Sequence, residues 1–158
     1  MCMQTQNDSL EVSSSHSFRT SLEGVKNGTD GLDERRESML KRVPQSNNWA
    51  NFAKGSLTTN DIAYLSAKTG HEFAILRGKR VDILFHGVAQ HCKFTDDLVD
   101  MLKSGQLRLF AHSHPDYDVI IPSADDRKFL NTIKQKESII ISWITGKEIT
   151  FTGSAFDI

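Results

Sequence analysis

The sequence predicts a mixed α/β fold, with a central mixed β-sheet flanked by helices in one domain. Two observations carry the α/β class. From Trp49 onward, β-rich runs alternate with apolar residues at helical spacing, and Gly, Ser or Thr punctuates each change. The length of 158 residues suits one domain with an appendage.

The appendage is expected at residues 1–48. Only 12 of these 48 residues are hydrophobic, against 38% for the chain. Such a segment buries too little apolar surface to offset its ordering entropy, so it reads as a polar, poorly ordered tail or linker. Within it, Asp33–Arg42 is compatible with one or two amphipathic helical turns. The folded domain is expected over residues 49–158. Thr58-Thr59-Asn60-Asp61 opens a helix carrying Ile62, Leu65 and Ala67, and Gly70 stops it. The runs His71–Arg77 and Arg80–His86 flank Gly78-Lys79 and read as a hairpin. Thr95 starts a helix with Asp96 and Asp97 in its first turn, where acids suit the dipole, and Gly105 ends it. Leu107–His112 is a strand, 113–122 a loop, and Ser123 opens a helix with Phe129, Leu130 and Ile133 as its apolar face. Ser138–Ile144 and Glu148–Thr152 form a closing hairpin around Thr145-Gly146-Lys147.

Composition narrows function. The net charge is −1, from 19 basic and 20 acidic residues. Nothing in that balance suggests nucleic acid or an anionic membrane as a partner. No stretch of 18 apolar residues exists, so no membrane-spanning helix is expected. The start lacks the pattern of a signal peptide. Cys2 and Cys92 make neither a disulfide framework nor a CxxC pair. The expected setting is the cytoplasm, with free thiols.

The chemistry concentrates in His112-Ser113-His114-Pro115, seven further residues, then Ser123-Ala124-Asp125-Asp126. Residues i and i+2 of a strand share a face, so His112 and His114 project together where the strand ends. Asp126, Phe129, Leu130 and Ile133 fall at i, i+3, i+4 and i+7, which puts Asp126 on the buried stripe of its helix. An inward carboxylate needs a partner or a cation. Two imidazoles and one carboxylate leave a fourth tetrahedral position open, as in catalytic zinc sites. Taken alone, the histidine pair also fits two surface residues, and Ser123 with Asp126 fits a capping box.

This spacing resembles the JAMM (MPN-domain) zinc metalloprotease family, whose pattern is His-x-His-Pro, about seven residues, then Ser-x-x-Asp, with a glutamate far upstream. The resemblance covers roughly residues 57–152 and implies a JAB/MPN-like domain. It implies Zn2+ held by His112, His114 and Asp126, with Ser123 helping to hold an oxyanion. It also implies Glu72 as general base, this being the one glutamate between Trp49 and His112. Family members often carry a cysteine or glycine just after that glutamate, whereas Phe73-Ala74-Ile75 follows here. By position alone, Glu72 also fits an ordinary strand-end acid. The implied activity is hydrolysis of a peptide or isopeptide amide in a protein or peptide substrate, ubiquitin-like conjugates among them. Two alternatives are an MPN-type interaction scaffold and a RadC-like DNA-repair-associated protein. His71 and His86 are read as surface and structural histidines, and His91-Cys92 as only a weak second metal pair.

Overall fold

A computed structural model describes residues 16–155. Its elements are α1 (residues 16–27), α2 (Glu34–Arg42), β1 (Trp49–Ala53), α3 (Thr59–Thr69), β2 (Phe73–Gly78) and β3 (Val81–His86), then α4 (Asp96–Lys103), β4 (Leu107–His114), α5 (Ala124–Ile133), β5 (Glu137–Ser142) and β6 (Glu148–Thr152). One six-stranded sheet runs in the order β1-β3-β2-β4-β5-β6. It is mixed: β4 and β5 are parallel, joined through α5, and the other neighbours are antiparallel. The mixed α/β class expected from the sequence is therefore what forms.

Alternation along the strands divides the core into two layers. Phe73 and Ile75 of β2 pack with Leu84, Ile62 and Leu65 on the α1–α3 side. Ala74 and Leu76 pack with Phe85, Leu98 and Leu130 on the α4–α5 side. β4 breaks this alternation once. Leu76 pairs with Leu109 but Ile75 pairs with Ala111, so Phe110 is an extra residue in a β-bulge. Leu107 and Leu109 therefore join the α4–α5 layer, while Phe110 and Ala111 meet the α1–α3 layer. Past the bulge, the parity of the strand is inverted.

Residues 16–48 correct the expectation of a disordered tail. They fold as α1, α2 and a turn, and Leu22, Val25, Met39 and Val43 are buried in the core. The reason is distribution. Apolar residues are few here, but they stand at i, i+3 or i, i+4 and so share a face. Charge adds to this: buried Asp61 at the start of α3 takes Arg35 Nη1 at 2.7 Å and Arg36 Nε at 3.0 Å. The remaining residues of the expected tail, 1–15, lie outside the described residues.

Three further differences are local. β1 is a strand that sequence reading did not foresee; it is an edge strand with alternating half-exposed residues and no strong apolar pattern. β4 continues two residues beyond its expected end and carries both histidines within the strand. β5 stops at Ser142, two residues early, because Ser142 Oγ accepts the backbone N–H groups of Ile144 and Thr145 and turns the chain. The helix signals read from Thr58, Gly70, Thr95 and Ser123 all mark real ends, Gly70 in the left-handed region at φ 76°.

Candidate metal centre

Three chain segments meet at the carboxyl end of β4. Because of the Phe110 bulge, His112 and His114 face Asp126 on α5, and the His112 ring meets the ring of Phe151 edge-on. Ser113, between them, faces the opposite way. Its Oγ lies 2.7 Å from Ser66 Oγ on α3 and accepts Phe73 N–H at 2.9 Å. This buried knot fixes β4 against the segment that carries Glu72.

Asp126 reaches the histidines from the first turn of α5. Ser123 Oγ accepts Asp126 N–H at 2.9 Å, and Asp126 Oδ2 accepts Ser123 N–H at 2.9 Å, a reciprocal capping box. The same carboxylate stands 3.2 Å from His112 Nε2 through Oδ1 and 3.0 Å from His114 Nε2 through Oδ2. The two Nε2 atoms are 3.2 Å apart. The sequence-derived ligand set is thus brought together. The capping and inward readings of Asp126 are both realised, because a carboxylate has lone pairs for each.

The donor set fits a metal ion. Ligand bonds of about 2.0–2.1 Å in tetrahedral geometry place neighbouring ligand atoms roughly 3.3 Å apart, close to the separations found here. Protons on both Nε2 atoms are received by Asp126 but leave two donors 3.2 Å apart. Buried His112 Nδ1 has no hydrogen-bond partner among the described residues in either tautomer. His114 Nδ1 lies 3.1 Å from Asp116 Oδ2, the second carboxylate that metal-bound histidines commonly engage.

Glu72 is buried, in the link between α3 and β2, and its backbone is held on both sides. Its N–H donates to Val88 carbonyl at 2.8 Å, and its carbonyl accepts Gly87 N–H at 2.7 Å. A Cβ at Gly87 would come within 2.8 Å of both Glu72 O and Cys92 Sγ, so the close approach requires glycine there. One carboxylate oxygen of Glu72 and an imidazole nitrogen of each of His112 and His114 lie within 4.8 Å of one another. Among the described residues these three form a buried group that could hold a metal ion; Asp126, at 3.0–3.2 Å from the same histidines, stands at the closer ligand spacing.

The charges are strongly coupled. Burial pushes the Glu72 carboxyl up to about 8, with Asp126 and Asp116 adding to the rise and His114 opposing it. Burial alone would lower His114, but the hydrogen bond and charge of Asp126, together with Glu72 and Asp116, carry it up to about 9. Burial disfavours the Asp126 anion, yet hydrogen bonds from His112 and His114 hold it well below the usual carboxylate range. A divalent cation would take over the work of the proton on His114.

The centre opens into a cavity of about 530 Å³. Glu72, His112, Ser123 and Asp126 line it together with Cys92, Phe94, Val99 and Phe129. Cys92 and Phe94 were not foreseen as cleft residues, because the loop after β3 gives no regular pattern. His91 also lines the cavity, but it joins no metal-holding group with Cys92 among the described residues. His71 and His86 form a pair of their own. His86 Nδ1 donates to Val43 carbonyl at 2.7 Å, and His71 Nδ1 lies 2.9 Å from His86 Nε2. That pair ties the end of α2 to the sheet.

Compared with protein-family models, curated proteins and solved structures, the chain matches none. What fold and site define is therefore a mixed α/β domain with a buried His/His/carboxylate cluster able to hold a metal ion. No helix among the described residues is long and apolar enough to cross a membrane.

Proposed function

We propose that the protein is a zinc-dependent hydrolase of the JAMM type that cleaves a peptide or isopeptide amide. The observation that carries this reading is the convergence of His112, His114 and Asp126 at 3.0–3.2 Å, with buried Glu72 beside them on a cleft. His112, His114 and Asp126 would hold the metal. Bound there, Zn2+ would supply Lewis acidity and lower the pKa of a coordinated water from ~15.7 towards ~7.

The chain's own residues do the rest. Glu72, whose carboxyl pKa is raised by burial and would be lowered again by a bound cation, takes the proton from the attacking water. It returns that proton to the leaving amine. Ser123 Oγ accepts Asp126 N–H through a lone pair, which leaves its own O–H free to donate to the oxyanion that develops on the carbonyl. Asp116 holds the His114 ring through Nδ1. The proposed substrate is a protein or peptide, ubiquitin-like conjugates included, met in the cytoplasm.

Metal analysis of the purified protein, paired with cleavage of ubiquitin-like conjugates and short peptide amides, tests this. Turnover should vanish with a chelator and return with Zn2+. Glu72→Gln should retain the metal and lose about 10²–10⁴ in rate, the usual contribution of a general base. Wild-type turnover by that variant, or turnover indifferent to chelation, would refute the reading.

A further inference from the structure

The cavity is larger than hydrolysis of a bare amide requires. At about 530 Å³ it lies in the size range of small-molecule pockets. Its polar part, around Glu72, His112 and Asp126, accommodates the reacting amide. Its apolar lining comes from Phe94 in the loop after β3, Val99 on α4 and Phe129 on α5, beside polar Gln90, His91, Lys93 and Asp125.

These apolar side chains are only partly buried, although each is built on a rigid support. The Phe94 ring sits 4.8 Å from that of Phe85, which is fully buried, and 5.5 Å from that of Phe129. Phe129 precedes Leu130, a core residue with no exposure. Three preformed apolar walls facing water lose free energy until something covers them. A substrate with glycine on both sides of its cleaved bond would leave them wet.

We propose that this part of the cleft is a specificity pocket for an aromatic or branched aliphatic side chain on a residue flanking the cleaved amide. This rests on the hydrolase reading and names its substrate class. Phe94, Val99 and Phe129 are the selecting residues. A large apolar side chain seated among them holds the adjacent amide against Glu72 and the histidine pair.

The test uses end-blocked hexapeptides with Gly, Ala, Leu or Phe placed in turn on the acyl and the amine side of the central amide. Binding is measured by calorimetry on the zinc-loaded Glu72→Gln protein, and kcat/KM on the wild type. Leu or Phe on one side should bind about tenfold or more tightly than Gly, since a few buried methylenes give that much discrimination. Val99→Trp, which fills the pocket from its α4 wall, should abolish the preference without changing metal content or melting temperature. Phe129→Ala should weaken binding of the Leu and Phe peptides more than that of the Gly peptide. Equal binding across the series, or a preference that survives Val99→Trp, overturns the pocket. Cleavage without preference overturns it while leaving the hydrolase reading intact. Selective binding without cleavage supports the pocket and sinks the hydrolase reading.

Discussion

The chain builds the same device twice and uses it in two ways. Thr58 with Asp61 opens α3, and Ser123 with Asp126 opens α5, each as a reciprocal capping box. In both boxes the aspartate accepts the cap's backbone N–H at 2.9 Å. What differs is the partner left for the rest of the carboxylate. Asp61 meets the guanidinium groups of Arg35 and Arg36, which bring their own charge and pin α2 onto the domain. Asp126 meets two imidazoles, whose nitrogens can serve as donors or as ligands depending on what binds. A box closed by permanent cations is a structural clamp. A box closed by titratable groups can hold a metal ion.

Breaking the second box at its carboxylate should have the largest effect. Asp126→Asn keeps the cap but removes a ligand charge. Metal content measured by mass spectrometry should collapse, and amide turnover should fall to background. Unchanged metal stoichiometry in that variant would remove Asp126 from the centre.

The cap hydroxyls sharpen the contrast. Ser123→Ala and Thr58→Ala should each lower unfolding free energy by ~1 kcal/mol, the ordinary worth of an N-cap. Only Ser123→Ala should also slow turnover, by ~10²–10³, if its hydroxyl serves the oxyanion. Equal activity in the two variants would reduce Ser123 to a cap.

Asp61→Asn should do the reverse of Asp126→Asn, leaving metal content and rate unchanged. It should cost about 1.5–3 kcal/mol in urea unfolding, towards the low end because Arg35 is half exposed to solvent. The smallest effect is its pH dependence. Burial raises the Asp61 pKa, but hydrogen bonds and charge from Arg35, Arg36 and the Thr58 amide outweigh this and hold it below its ordinary 3.8. A depressed acid stabilises the fold above that ordinary value and loses its contribution as pH falls through the folded value. The stability gap between wild type and Asp61→Asn should therefore be flat near neutrality and close in acid. A gap that widened in acid would contradict the pairing.

Much of this could be read from residue order. The helix starts at Thr58 and Ser123 and the stop at Gly70 are signals carried within four residues, and local hydrogen bonds realise them. That His112 and His114 share a face was legible from the strand period, and the inward position of Asp126 from the helix period, because both are short-range rules. The N-terminal helices were not legible. Average composition over residues 1–48 conceals four core residues whose partners lie on elements far along the chain. The cleft residues Cys92 and Phe94 were missed for a similar reason: an irregular loop acquires its direction from what it packs against.

By itself, then, the sequence determined most of the elements after Thr58, the helix starts at Thr58 and Ser123 and the spacing of the histidine pair, all set by contacts between near neighbours. Only the tertiary structure decided which aspartate meets arginines and which meets histidines. It also decided, through the one extra residue at Phe110, that the histidines face α5. Period-two continuation from Leu107 and Leu109 would have turned His112 and His114 towards α3. A bulge is created by pairing with a second strand, so no pattern confined to β4 can announce it.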